Sequence, residues 1–182
     1  MAQIQDVIGD EMAGFIRKQH VFFVATAPLK GDGLINLSPK GLDTFEVLDE
    51  RTVAYLDLTG SGSETVAHVK ENGRIVVMFC AFEGAPKIVR LYGRGEVLEA
   101  GTAAFEGLVG RFEARPGVRG IIRIHVQRTA TSCGYGVPLM EYIGDRTVLE
   151  EWAVKKGEEG VRAYQAKKNR ASLEGLAGLE RA

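Results

Sequence analysis

Apolar positions follow a helical period at the two ends of this chain and a strand period between them. Ile4, Val7, Ile8, Met12, Phe15 and Ile16 fall on one side of a 3.6-residue repeat, which predicts an amphipathic helix over residues 4 to 19. The helix leads directly into HVFFVATA, a short apolar run dense in β-branched and aromatic residues. GDG at positions 31 to 33 is a turn signal, and LINLSPKG and FEVLDERTVAYLDL then read as strands joined by turns. The pattern continues through RIVVMFCAF, the long KIVRLYGRGEVLEA, a short helix in TAAFEGLVGRF, and VRGIIRIHVQRTATSC. Six or seven strands with few helices between them imply antiparallel pairing, because each parallel pair needs a crossover. Closure into a small barrel hides the edges. From about 145 to 178 the chain is charged and helical, with Trp152 and Tyr164 as its large apolar anchors. No internal repeat, linker or boundary divides the sequence, so residues 1 to 182 are read as one domain.

Composition narrows the partners. A formal net charge of -1, with basic and acidic residues interspersed, gives no electrostatic basis for nucleic acid or for an anionic membrane surface. Cys80 and Cys133 suit a reducing compartment better than a disulfide framework. MAQIQDVIGDEM lacks a basic region followed by an apolar one, and no stretch approaches the roughly 20 apolar residues of a spanning helix. The expectation is a soluble, cytoplasmic protein.

The densest candidate chemistry lies in TGSGSETVAHVKEN, residues 59 to 72, where a strand gives way to a helix. Ser61 followed by Glu64 is a capping box, which needs no ligand. The same turn also has the makings of a phosphate cradle. Gly60 and Gly62 allow close backbone approach, Thr59, Ser61, Ser63 and Thr65 bring hydroxyls, and the helix start adds partial positive charge. It is neither a Walker motif nor a dinucleotide fingerprint, and Glu64 repels a phosphate unless it turns away. NLSPKG places Ser38 and Lys40 on one face of a strand. Arg90, in the middle of an apolar strand, either pairs with a carboxylate such as Asp57, faces water, or reaches a ligand. In TSCGYGVP, glycines around Tyr135 either present Cys133 and Tyr135 to a cleft or form a structural loop. His20, His68 and His125 have no metal-ligand spacing, and His68 reads as a surface residue. No metal site is expected.

NLSPKG, YLDLTGSGSETVAHVKENGRIVVMFC, KIVRLYGRGEV and TSCGYGVP together resemble the pyridoxamine 5′-phosphate oxidase superfamily, in its less-characterised flavin-nucleotide-binding branch, over roughly residues 4 to 145. The resemblance implies a mainly β fold with flanking helices (α+β), an antiparallel split β-barrel of the FMN-binding type. It also implies a homodimer with FMN in a cleft between subunits. Asn36, Leu37, Ser38 and Lys40 would correspond to the first flavin-contacting strand, and Leu58 and Thr59 to a pair at the end of the next. Ser63, Glu64 and Thr65 would fall where the oxidase has serine, arginine and lysine, so the resemblance leaves Lys40 and Arg90 to supply the positive charge. The arginine-rich C-terminal segment that holds substrate phosphate in the oxidase has no counterpart in EYIGDRTVLEEWAVKKGEEGVRAYQAKKN, which argues against vitamin B6 oxidation. The implied activity is an FMN-dependent oxidoreductase of unknown small-molecule substrate. The alternatives are a flavin-binding or storage module without turnover and a deazaflavin-dependent reductase. Because a flavin itself accepts and donates the hydride, no catalytic side chain is assigned.

Overall fold

The alternating middle of the chain builds one antiparallel sheet in the computed structural model, which describes residues 3 to 181. Its strands are β1 (Gln3–Gln5), β2 (Phe22–Thr26), β3 (Asn36–Lys40), β4 (Phe45–Val47), β5 (Thr52–Leu58), β6 (Arg74–Cys80), β7 (Ile88–Glu99) and β8 (Val118–Ser132). The helices are α1 (Asp10–Ile16), α2 (Glu64–Asn72), α3 (Ala103–Val109) and α4 (Val148–Lys168). The strand order is β3-β2-β6-β7-β8-β5-β4. Its two ends, β3 and β4, are consecutive in sequence and joined only by residues 41 to 44, a link that spans at most about 18 Å. The sheet therefore has to curl until its first and last strands come close, which is a split barrel. β8 is long enough to serve two neighbours along one side, β5 against its first half and β1 against its second, while β7 runs along the other.

β5 shows why its sequence is continuously apolar. Val53 and Tyr55 point into the barrel core with Val24, Val77, Phe79, Leu91, Ile122 and Ile124, while Ala54 and Leu56 point out beneath Phe105 of α3. A strand covered on both faces has no reason to alternate.

The N-terminal expectation needs correction. Instead of one helix over 4 to 19, residues 3 to 5 form β1 on β8 and the helix spans only Asp10–Ile16. The pairing partner, Thr129 to Thr131, offers an open edge beyond β5, and filling it leaves Ile4 63% exposed. Of the apolar repeat, Ile8, Met12 and Ile16 are buried in the core and Phe15 packs against it, while Ile4 and Val7 stay outside.

The C-terminal helix forms but stops at Lys168, short of the expected end near 178, and it is broken at Gly157, whose φ of 67° and ψ of 168° lie outside any helix. The break folds the second half back so that the Trp152 and Tyr164 rings meet edge-on, 5.0 Å between centroids. Among the described residues no helix is long and apolar enough to cross a membrane.

Candidate functional site

A cavity of about 1160 Å³ opens between the end of α1, the β3–β4 link, the turn after β5, the β6–β7 connection and α4. Lys40, Thr59, Gly60 and Ser61 line it together with apolar and aromatic groups that include Phe15, Phe82, Pro86, Trp152 and Tyr164.

Lys40 enters the cavity from a buried charge cluster. Its Nζ lies 3.1 Å from Asp57 Oδ1, and Arg119 Nε donates to Asp57 Oδ2 at 2.7 Å. Asp57 and Arg119 are buried while Lys40 stays partly accessible, its ammonium 5.8 Å from the centre of the Tyr55 ring. Burial alone would raise the Asp57 carboxyl. The charges of Arg119 and Lys40, with hydrogen bonds from both, outweigh it and lower the group from 3.8 to about 2. Asp57 is thus ionised and shared by two cations, leaving the cluster with a net positive charge facing the cavity through Lys40. Arg90 is not its partner. It lies on the side of β7 opposite the buried Val89 and Leu91, donates to Ser132 Oγ at 3.1 Å, and does not line the cavity. Arg119 was not found from sequence, although an aspartate inside a strand buried on both faces is itself a signal that a cation must meet it.

The turn after β5 differs from the capping box read in its sequence. The residue that precedes α2 is Ser63, not Ser61, and it caps nothing with its side chain. Ser63 is fully buried and its hydroxyl donates to the Ala171 carbonyl at 3.0 Å. Glu64, turned away from the cavity, accepts from the Leu173 amide at 2.8 Å. Gln165 Nε2 donates to Thr59 Oγ1 at 2.7 Å, and Thr59 Oγ1 donates in turn to the Gly117 carbonyl at 2.7 Å. Asn169 Nδ2 donates to the carbonyls of Gly60 at 3.1 Å and Gly62 at 3.4 Å, and Arg119 Nη1 donates to Gly62 at 2.8 Å. The segment from Gln165 to Leu173 therefore lies along the turn, and together with the residues that follow it to Arg181 it forms a strap. Toward the strap the turn is mostly a surface of acceptors. Sequence reading missed Gln165 and Asn169, since nothing in an amphipathic tail reveals which turn it will cover.

Three predicted contacts form a separate cluster. Ser38 donates to Asn36 Oδ1 at 3.0 Å, and Asn36 Nδ2 donates to Thr65 Oγ1 at 3.0 Å and Thr26 Oγ1 at 3.2 Å. His68 joins them, its Nδ1 3.0 Å from Thr26 Oγ1 and its Nε2 buried without a partner, so it is not the surface residue expected. The reason is that the His68 face of α2 packs against β2. None of these residues lines the large cavity. Leu37 is exposed, and Leu58 packs against the cluster beneath α3.

Cys133 and Tyr135 are exposed and away from the cavity. The residues that follow them do reach it. Tyr142 stacks on His20 with 3.6 Å between centroids and 5° between planes, its amide donates to Glu83 Oε1 at 3.0 Å, and the Met140 amide donates to the Phe82 carbonyl at 2.9 Å. Among the described residues no group of three or more histidines, cysteines or carboxylates is placed to hold a metal ion.

Residues 8–133 match the sequence profile of the family described as pyridoxamine 5′-phosphate oxidase, which is well over half of the chain. The protein belongs to the pyridoxamine 5′-phosphate oxidase family. A family member from Aspergillus flavus, the pyridoxamine 5′-phosphate oxidase family protein ustO, is 38% identical over 194 positions covering 96% of this chain and 77% of that protein. The crystal structure of HupZ from Group A Streptococcus is similar at 28% identity and a TM-score of 0.52, over 67% of this chain and 91% of that one. A structure described as the FAD binding protein from Mycobacterium smegmatis shares the fold, with a TM-score of 0.50 over 69% of this chain and 96% of that one at 15% identity. The expected antiparallel split barrel with flanking helices is thus the observed fold.

The flavin nucleotide this family implies can be tested against the cavity's chemistry. Lys40 and Ser61 bring a cation and a hydroxyl to one cavity, which Lys18, Glu83, Lys87, Asp145 and Arg146 also line and whose walls are otherwise largely apolar and aromatic, as a phosphate-bearing planar ring system requires. The residues present fit such a group. Ser63, Glu64 and Thr65 do not reach it.

Proposed function

We propose that this protein binds FMN in the 1160 Å³ cavity and acts as a flavin-dependent oxidoreductase on a small molecule. The supporting observation is the convergence of Lys40 and the Thr59–Ser61 turn on one cavity with aromatic walls. Lys40 would hold the phosphate charge and Ser61 would donate to it. The bound flavin supplies hydride transfer, and the chain supplies binding, orientation and exclusion of water. Arg90 stands outside the cavity; of the cations that line it, Lys18, Lys40, Lys87 and Arg146, Lys40 is the one held by Asp57 on the strand that leads into the Thr59–Ser61 turn. We further propose a homodimer, supported by the apolar side chains Leu34, Ile35 and Leu37, which stand exposed on and just before the edge strand β3. The unpaired Cys80 and Cys133 support a cytoplasmic location.

Titration with FMN, FAD, riboflavin and a 5-deazaflavin, followed by fluorescence or equilibrium dialysis, tests the cofactor. FMN is expected to bind tightest. A charge-assisted hydrogen bond contributes about 1.5–3 kcal/mol, so Lys40→Ala should weaken FMN roughly tenfold to a hundredfold and leave riboflavin nearly unchanged. Riboflavin binding as tightly as FMN would remove the phosphate role. Reduction of the bound flavin by NADH or NADPH, followed by an acceptor screen, separates turnover from storage.

A further inference from the structure

The strap reaches the cavity through the turn it covers. A trans peptide points its carbonyl and the following amide in opposite directions. The Gly60 carbonyl is drawn to the Asn169 side chain, so the Ser61 amide in the same peptide plane points away from the strap, and Ser61 lines the cavity. Thr59 is fixed in the same way, its hydroxyl held between Gln165 Nε2 and the Gly117 carbonyl. Gln165 and Asn169 are themselves buried, 7% and 0% exposed, and the Asn169 amide is fastened to the Gln165 carbonyl at 2.7 Å. The far end of the strap is anchored independently. Leu179 lies in the barrel core, and the Glu180 and Arg181 amides donate to the Glu99 carboxylate. Gly178 lets the strap turn past its own start, since a Cβ there would run into the Asn169 carbonyl and the Ser63 hydroxyl.

We infer that Gln165 and Asn169 are positioning residues for the phosphate end of the proposed flavin site. Neither lines the cavity. By holding carbonyls on one side of the turn they present its donors, the Ser61 amide and hydroxyl, to the other. The inference rests on the FMN reading above and adds that the C-terminal segment, rather than an arginine and a lysine at the helix start, makes the turn fit for an anion.

The test compares FMN with riboflavin, which differ only in the phosphate, on the full chain. Asn169→Ala should weaken FMN about tenfold while changing riboflavin less than twofold, because one hydrogen-bonded peptide plane is released. Gln165→Met, which keeps the length of the side chain and removes its donor, should act in the same direction by about threefold to tenfold. Leu179→Ala serves as the control. It loosens the same strap from the core, so it should lower the melting temperature and leave the FMN-to-riboflavin ratio intact. Equal loss of both ligands in Asn169→Ala and Gln165→Met, or a Leu179→Ala variant that shifts the ratio as much as they do, reduces the strap to a stabilising element and overturns the inference. A parent protein without preference for FMN over riboflavin refutes the phosphate reading itself and the inference with it.

Discussion

At the scale of single residues, Asp57 decides more than any other. It is an ionised carboxylate with 1% exposure, and it holds both the lysine that faces the cavity and the arginine that supports the turn. Its folded-state value of about 2 lies below the ordinary 3.8, so its contribution is fully present above about pH 4 and is lost as pH falls toward 2. The depression corresponds to about 2 kcal/mol. Asp57→Asn should cost about 3–5 kcal/mol at pH 7, because Arg119 stays buried without its counter-charge, and the variant should lose about 2 kcal/mol less than the parent between pH 4 and pH 2. Urea unfolding at pH 7, 4 and 2.5 checks both. An unchanged pH slope would show that Asp57 is not the group that titrates. The aspartate was visible in the sequence as a charge inside an apolar strand. Its partners were not, because Arg119 arrives with β8, which pairs with β5 from some sixty residues away, and Lys40 on β3 reaches β5 only once the sheet has curled.

At the scale of elements, α4 depends on one backbone conformation. Gly157 sits at φ 67°, where an L-residue is strained, and a Cβ there would meet no atom within 4 Å. The cost of Gly157→Ala is therefore all backbone, about 1–3 kcal/mol. Since Trp152 is the chain's single tryptophan, its emission reports the break directly, and the variant should shift it as Tyr164 moves off the ring. A stable variant with unaltered emission would mean that the bend does not need glycine. Strands buried on one face were legible by their alternation, β5 by its continuous apolar run, and α4 by its helical period. It did not disclose the bend, since nothing in the composition of KKGEEG separates a glycine that interrupts a helix from one tolerated inside it. Residues 3 to 5 were misread for a different reason. Ile4 fits a helical repeat locally, but an open edge some 126 residues away makes a strand of it. The turn at 59 to 65 was legible as a site of concentrated polar chemistry, and the strap that consumes half of that chemistry was not.

At the scale of the whole molecule, the edge strand β3 and the apolar residues that lead into it govern assembly. Ile35, 77% exposed, and Leu37, 64% exposed, are expected to be covered in a dimer, and Ile35→Lys should yield a monomer in sedimentation velocity at micromolar concentration. A parent that sediments as a flavin-loaded monomer would remove the dimer. The central place of β8 has a kinetic consequence. β7 and β8 are joined through a short helix and can zip early, but β5 must find β8 across some sixty to seventy residues and β1 across more than a hundred and twenty. Such pairings repay the loop entropy they cost only after most of the chain has been ordered, so this barrel belongs among slow folders, on the scale of milliseconds to seconds. During that interval β5 is a two-faced apolar strand with an unpaired edge, and the newly made chain is most prone to aggregate while it waits for β8.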